Sequence, residues 1–456
     1  MKLINKFRYA TEKDKAISRN VIGAFLIQGG GLVVSLFTMP AYMHFFSDQK
    51  VLGVWFTVLS ILSWILNFDM GISNGLRNNL ARALALNEKK EAKEYLSSAY
   101  WMLGLVVLVL LVFGSIVLRF VDWNAIFNVS QEIIPNNIML EVVEYTFLGI
   151  MLQFFLRLIS AVLYAMQKSA INNFVGLLSK LFELLIITVI SSATPIQNIR
   201  TLSLVHVITA NLPLLITTLI VFTVPLKASR PNLQYFRKDK ARAVLSLGGI
   251  FFLCQILYML IANTNEFFIT QYTEPGNVVE YQIYNRLFTL GSMVFMLALS
   301  PIWSAVSKAI AENDFIWLQK LHRNLTILAT LGILAEFMLI PFLQFIVNFW
   351  LKENAIQINY VYAFAFALFG SVMIFQSAVS TITNGTGRMR IQAISYALGV
   401  VFKMIIIHVG IILTDNWIVV VLANALILIP YCIIQQVDLK KYLRSGVLLT
   451  NDMGAN

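Results

Sequence analysis

Apolar residues in this chain come in long unbroken runs, not in the 3.6-residue rhythm of a soluble helix or the alternation of a half-buried strand. Between charged breaks the runs cover 20–46, 51–75, 97–120, 143–166, 171–193, 201–225, 245–272, 279–304, 325–350, 359–383, 391–413 and 416–437. Each has the roughly 20 residues that carry an α-helix across the hydrocarbon of a bilayer. The pattern predicts an all-α integral membrane protein of about twelve transmembrane helices. No soluble domain of any size interrupts them, the longest outer segment being 121–142. Composition agrees, with 58% hydrophobic and 12% charged residues, against about 45–50% and about 25% in soluble domains. That excludes a cytosolic enzyme and, despite a net charge of +11, a nucleic-acid binder. Cys254 and Cys432 lie inside apolar runs and give neither a disulfide framework nor metal spacing.

Residues 1–19 hold six Lys/Arg and two acids, and the next charge-free run extends to Phe46. That run is too long for a signal-peptide core and lacks a small-residue cleavage site. The segment reads as a basic amphipathic stretch on the inner surface. With the N-terminus inside, inner segments collect 26 of the 34 Lys and Arg, outer segments four (Lys50, Arg119, Arg200, Lys352), and spans four. Such sorting is the positive-inside signature and places both termini in the cytoplasm.

A basic stretch with a proline, residues 227–243, falls between spans six and seven. It divides the chain into a lobe at 20–226, a cytoplasmic linker, a lobe at 244–437 and a cytoplasmic tail at 438–456. The lobes show weak kinship. At an offset of 226, Arg82-Ala-Leu-Ala-Leu-Asn-Glu88 matches Lys308-Ala-Ile-Ala-Glu-Asn-Asp314 with one mismatch, and Gly23, Phe25 and Trp55 fall on Gly249, Phe251 and Tyr281. Spans one and seven both run outward, so the repeat is parallel: two six-helix lobes around a central cavity, a plan that binds substrate at the lobe interface and works by rocking.

Four bases sit inside spans: Arg157, Lys180, Arg286 and Lys403. Each costs roughly 2.5–3.5 kcal/mol at a helix centre, so such residues face a bundle interior or a wet cavity. Each shares a helical face with other polar groups: Gln153, Ser160 and Tyr164; Asn173 and Glu183; Gln282 and Thr289; Gln392 and Ser395. The acids are Asp69, Glu183, Glu266 and Glu336. Two readings stand. The charges form structural ion pairs, Lys180 with Glu183 for one, or the bases line a cavity for an anionic head group while a desolvated carboxyl (Glu266, Glu336 or Glu183) exchanges a proton. At an offset of 220, which aligns Lys168 with Arg388, Glu183 falls on Lys403, so the duplicated position has changed sign. Asp69 and Asn74 end span two, where capping and helix contact suffice for them. Nucleotide-binding, zinc-protease and CxxC motifs are absent.

The stretch Gly53–Ser60, GVWFTVLS, then Asn67–Leu84, NFDMGISNGLRNNLARAL, with Met39-Pro40-Ala-Tyr42 before it and the turn Asn384-Gly-Thr-Gly387, resembles bacterial polysaccharide exporters of the O-antigen flippase type. These belong to a superfamily with multidrug extrusion antiporters and lipid II flippases. Asp69, Asn74 and Arg77 lie in the shared motif. The resemblance implies movement of an undecaprenyl-pyrophosphate-linked oligosaccharide, such as an O-antigen or capsule repeat unit for lipopolysaccharide or polysaccharide biosynthesis. The movement runs from inner to outer leaflet of the bacterial inner membrane by alternating access. It implies no catalytic residue, no metal and no cofactor, with coupling to a proton or sodium gradient. The implied partners are the lipid-linked oligosaccharide, the lipid bilayer, and the polysaccharide polymerase and chain-length machinery. The alternatives are a cation-coupled multidrug exporter of the same superfamily, whose cavity should be acidic, and an integral-membrane polymerase or ligase, which should carry sizeable outer loops.

The orientation is open to direct test. Cysteines at Lys240 and Asn451 should be shielded from an impermeant thiol reagent in intact cells, and one at Asn128 should label. Labelling at position 240 in intact cells would contradict both the orientation and the two-lobe plan.

Overall fold

The computed structural model describes residues 12–46, 48–67, 72–190, 193–245, 249–311 and 313–454, and its described residues are helix, turn and loop without a strand. Asp69 and the first eleven residues lie outside them, as does the side chain of Asn74.

Helix ends fall where side chains can satisfy the first amides. Asp48 caps α2 (Gln49–Ser63), which follows α1 (Glu12–Phe45). The chain continues through α3 (Ile72–Ala85), α4 (Lys89–Leu118), α5 (Asn136–Leu156), α6 (Leu158–Ala165) and α7 (Ser169–Val189). Thr194 caps α8 (Pro195–Thr223), with Pro195 at the first helical position, where its missing N–H costs nothing. Then come α9 (Lys238–Leu245), α10 (Gly249–Ala262), α11 (Asn265–Tyr272), α12 (Asn277–Ala311), α13 (Phe315–Leu339), α14 (Leu343–Leu351), α15 (Tyr360–Thr386), α16 (Arg390–Thr414) and α17 (Ile418–Gly454). Asp314 caps α13 and Asn359 caps α15.

Ten segments of the described residues are long and apolar enough to cross a membrane, and α1 and α12 occupy the other two apolar runs. The protein is an all-α, multi-pass membrane protein. Four spans differ from their reading as single runs: the fourth divides at Arg157 into α5 and α6, the ninth at 340–342 into α13 and α14, and the second and seventh are also interrupted. The second helix stops near Asn67, and the chain resumes helically as α3. The seventh is broken at Asn263–Thr264 into α10 and α11. The segment read as a tail continues α17, with Leu439 and Leu443 buried. Asp438 there pairs with Arg388, whose guanidinium also stacks on Tyr442.

The described residues divide into two compact units. The first holds residues up to 51 and 61–249; the second holds 52–60 and 250–456. In the first unit α5 packs on α8 and α4, α1 on α7, and α3 on α6. In the second, α15 is the buried centre, packed by α12, α13 and α17, while α16 lies on α17.

The basic stretch read as a linker falls within the first unit and is docked on α4. Ser97 and Ser98 on α4 bond the backbone of Asn232 and Arg237, Ser229 bonds the carbonyl of Lys89, and Lys240 meets Glu91 at 2.5 Å. That carboxylate holds the Lys240 ammonium above the usual lysine range.

Two turns repeat between the units. Asn87 and Asn313, 226 apart, both adopt the left-handed conformation, φ 57° and 56°, which asparagine tolerates better than most residues. Around them the bonds recur in register: Glu88 N to Ala83 O and Asp314 N to Ala309 O, each 2.9 Å, then Lys89 N to Asn87 O and Phe315 N to Asn313 O, each 3.0 Å. At the other offset, 220, Gln167 and Gly387 share the same left-handed state after α6 and α15.

Gly75 marks a close approach: a Cβ there would stand 1.8 Å from the Val244 carbonyl oxygen of α9, whereas one on Gly176 meets nothing within 4 Å. Gly75→Val should prevent stable accumulation in membranes. Gly176→Ala should be tolerated, with a gain of about 0.5–1 kcal/mol in helix stability, seen as an unchanged or higher melting temperature in detergent. Normal accumulation of Gly75→Val would show that the α3–α9 contact is dispensable.

Candidate functional site

The break between α10 and α11 leaves main-chain carbonyls without helical partners inside an apolar span. Lys403, on α16 and 1% exposed, supplies the donors. Its three N–H groups are shared among four acceptors: Thr264 Oγ1 at 2.8 Å, Asn265 Oδ1 at 3.0 Å, Ile261 O, and Leu260 O at a longer 3.5 Å. Asn424 Nδ2, on α17, reaches the same Asn265 oxygen at 2.8 Å. Asn265 Nδ2 donates to Tyr281 OH at 3.0 Å and to Ala262 O. Gly399, one turn earlier on α16, lies against Ile261 and Ile427, where a Cβ would be 3.3 Å from the Ile261 side chain; the missing side chain lets α16 come close enough for the ammonium to arrive. The negative end of the α10 dipole faces the same charge.

Glu266 opens the other half-helix. Its carboxylate accepts from Gln282 Nε2 at 2.9 Å and Ser60 Oγ at 3.1 Å, and it attracts Lys403 electrostatically. An acid in the first turn of a helix is favoured by the dipole. Arg286, one turn beyond Gln282 on α12, is half-buried with its guanidinium 5.9 Å from the Phe56 ring centre. Glu336, 5% exposed on α13, fits a slot between glycines. A Cβ on Gly291 would come within 2.6 Å of its Oε1, and one on Gly370 within 3.1 Å of its Oε2. Among the described residues no hydrogen bond to this carboxyl is formed.

In the first unit Arg157 sits at the turn that divides α5 from α6. Its side chain is exposed and forms no ion pair among the described residues. Arg77 lies over the Tyr164 ring at 4.9 Å, and Asn172 donates to the Tyr164 hydroxyl. Glu183 takes a 2.6 Å hydrogen bond from Tyr42 OH and lies 3.3 Å from His206 Nδ1. Exposed Lys180 is on the same helix, its Nζ 3.9 Å from where a Cβ on Gly31 would stand.

The residues singled out from sequence therefore separate. Lys403 and Glu266 come together at one helix break. Lys403 is enclosed, not presented to an open cavity, because the carbonyls of the break use its donors. Glu183 has Tyr42 and His206 beside it. Thr264, Asn265, Asn424 and Tyr281 were missed; the polar triplet Asn263-Thr264-Asn265 within an apolar run was their only sequence signal. Among the described residues no cluster of three metal-ligating side chains occurs.

No protein-family model and no curated protein matches the chain. Solved structures match over nearly its whole length. An inward-facing multidrug resistance MATE family transporter of the MOP superfamily aligns with TM-score 0.73 and 14% identity, covering 91% of this chain and 95% of that one. An outward-facing structure of such a transporter gives TM-score 0.64 at 14% identity, over 95% and 96%. A MATE complex with MaL6 gives 0.63 at 15%, over 94% and 97%. The chain has this transporter fold, two lobes of membrane helices.

The Glu336 slot yields a coupled prediction. Gly291→Ala should lower the melting temperature, since overpacking costs about 1–3 kcal/mol. In the Glu336→Ala background the same change should cost less than half as much, because the obstructing oxygen is gone. Equal costs in both backgrounds would show that the carboxyl does not occupy the slot.

Proposed function

We propose that this protein is a flippase for an undecaprenyl-pyrophosphate-linked oligosaccharide, moving a polysaccharide repeat unit across the bacterial inner membrane by alternating access, with both termini cytoplasmic. The observation that carries the reading is Arg157: a guanidinium exposed at a helix turn within a span, with no carboxylate paired to it among the described residues. A base left open in that position suits a doubly acidic cargo, which a guanidinium can grip with two parallel hydrogen bonds. Arg77 on its tyrosine, Lys180 and Arg286 extend positive charge along the two units. Lys403 contributes by holding the helix break, without touching cargo. Glu183, Glu266 and Glu336 are the carboxyls through which a proton or sodium gradient would act. The polymerase and chain-length machinery would take the repeat unit on the outer side.

The fold likeness to multidrug transporters favours a second reading, a cation-coupled drug exporter. Unpaired basic charge at Arg157 argues against it, since a cationic drug would be repelled.

Charged hydrogen bonds are worth about 1.5–3 kcal/mol, so Arg157→Ala and Arg286→Ala should each cut surface polysaccharide roughly tenfold or more while reaching the membrane in normal amounts. Arg157→Lys should remain impaired, because an ammonium cannot reproduce the fork. Wild-type polysaccharide in both alanine variants, together with a change in resistance to cationic drugs, would replace this reading with the second.

A further inference from the structure

The oxygens around Lys403 form a ligand set in their own right. Two are main-chain carbonyls at the C-terminal end of α10, one is the Thr264 hydroxyl and one the Asn265 amide oxygen. All are neutral, hard donors, the kind that unwound transporter helices offer to alkali cations. The helix end adds roughly half a negative charge, and Glu266 adds its field.

The set is held in place without the lysine. Asn265 Nδ2 donates to the Ala262 carbonyl, which can only accept, and to Tyr281 OH. That fixes which end of the amide is oxygen. Asn424 then holds that oxygen from the other side. Thr264 Oγ1 is tied by its own bond to Leu260 O at 2.7 Å. Thr264, Asn265 and Asn424 are each buried, at 3%, 0% and 0% exposure. Among the described residues the Lys403 ammonium is the cation that reaches these oxygens, and it is attached to α16.

We infer that the break in the seventh span is a monovalent-cation site that the chain keeps filled with its own lysine ammonium. A tethered cation cannot dissociate, so the two half-helices stay bridged whatever ions the solution contains. Shortening Lys403 vacates the cage, and a small cation from solution takes the place of the ammonium. The alternative occupant of a polar cavity is water, and the two differ in response to salt. Neutral water is indifferent to the cation supplied, whereas a bound ion stabilises the fold by mass action. This inference is independent of the cargo.

The test uses the full-length protein in detergent, melted in choline chloride, sodium chloride or ammonium chloride at one concentration. Wild type should melt at the same temperature in choline and in ammonium. Lys403→Ala should melt lower in choline and recover by roughly 2 °C or more in sodium or ammonium, with a saturable dependence on concentration. Lys403→Met, whose uncharged stem fills the space, should melt low and stay insensitive. A Lys403→Ala protein that melts alike in all three salts contains water and overturns the inference. If Lys403→Ala does not accumulate, the double variant Lys403→Ala with Asn424→Asp, which keeps the Asn265 bonds and sets a carboxylate beside the vacated oxygens to attract a cation, must accumulate and depend on sodium or ammonium. Its absence or its insensitivity overturns the inference equally.

Discussion

A backbone break inside an apolar span leaves carbonyls without helical partners, and the Lys403 ammonium reaches them. Leaving such groups unpaired costs several kcal/mol each in hydrocarbon, and burying an uncompensated ammonium costs more. The two debts cancel when the ammonium is delivered to the carbonyls. Delivery explains several otherwise separate features: a lysine at 403, a glycine at 399 where α16 meets Ile261, and asparagines at 265 and 424 that lock the acceptor. Glu266 then begins α11 with Ser60 and Gln282 holding its carboxylate.

Much of the architecture was legible in the chain because hydropathy over about 20 residues reports burial in lipid directly. Each apolar run contains a helix or a pair of half-helices. The shared left-handed turn at Asn87 and Asn313 lies in the one heptapeptide whose likeness suggested duplication. Its recurrence bond by bond gives that likeness a physical basis, since the turn needs a residue that accepts positive φ at each copy. Gly75, inside the motif at the end of span two, likewise has a structural reason in the backbone of α9.

What could not be read was partnership. Asn263, Thr264 and Asn265 are too few to lower a window average, so the seventh span passed as continuous. Lys403 stood out as a costly charge, but the oxygens that use it come from residues 260–265, some 140 positions earlier, and no local spacing encodes that distance. Tyr42 and His206, which meet Glu183, come from other helices, and no spacing along its own helix announces them. Glu336 looked like any buried acid until Gly291 and Gly370 showed the space made for it. Charge within spans was visible in the sequence; that Arg157 is exposed at a helix turn with no ion pair among the described residues required the fold.

The central claim is that this fold carries a pyrophosphate-linked glycolipid. The most direct measurement places the purified protein in liposomes with a fluorescent undecaprenyl-pyrophosphate oligosaccharide. It then follows how fast inner-leaflet sugar becomes accessible to an added membrane-impermeant glycosidase. The account predicts protein-dependent exposure that Arg157→Ala slows by roughly tenfold. Exposure at the protein-free rate, in liposomes where the same preparation moves a cationic dye, would contradict it.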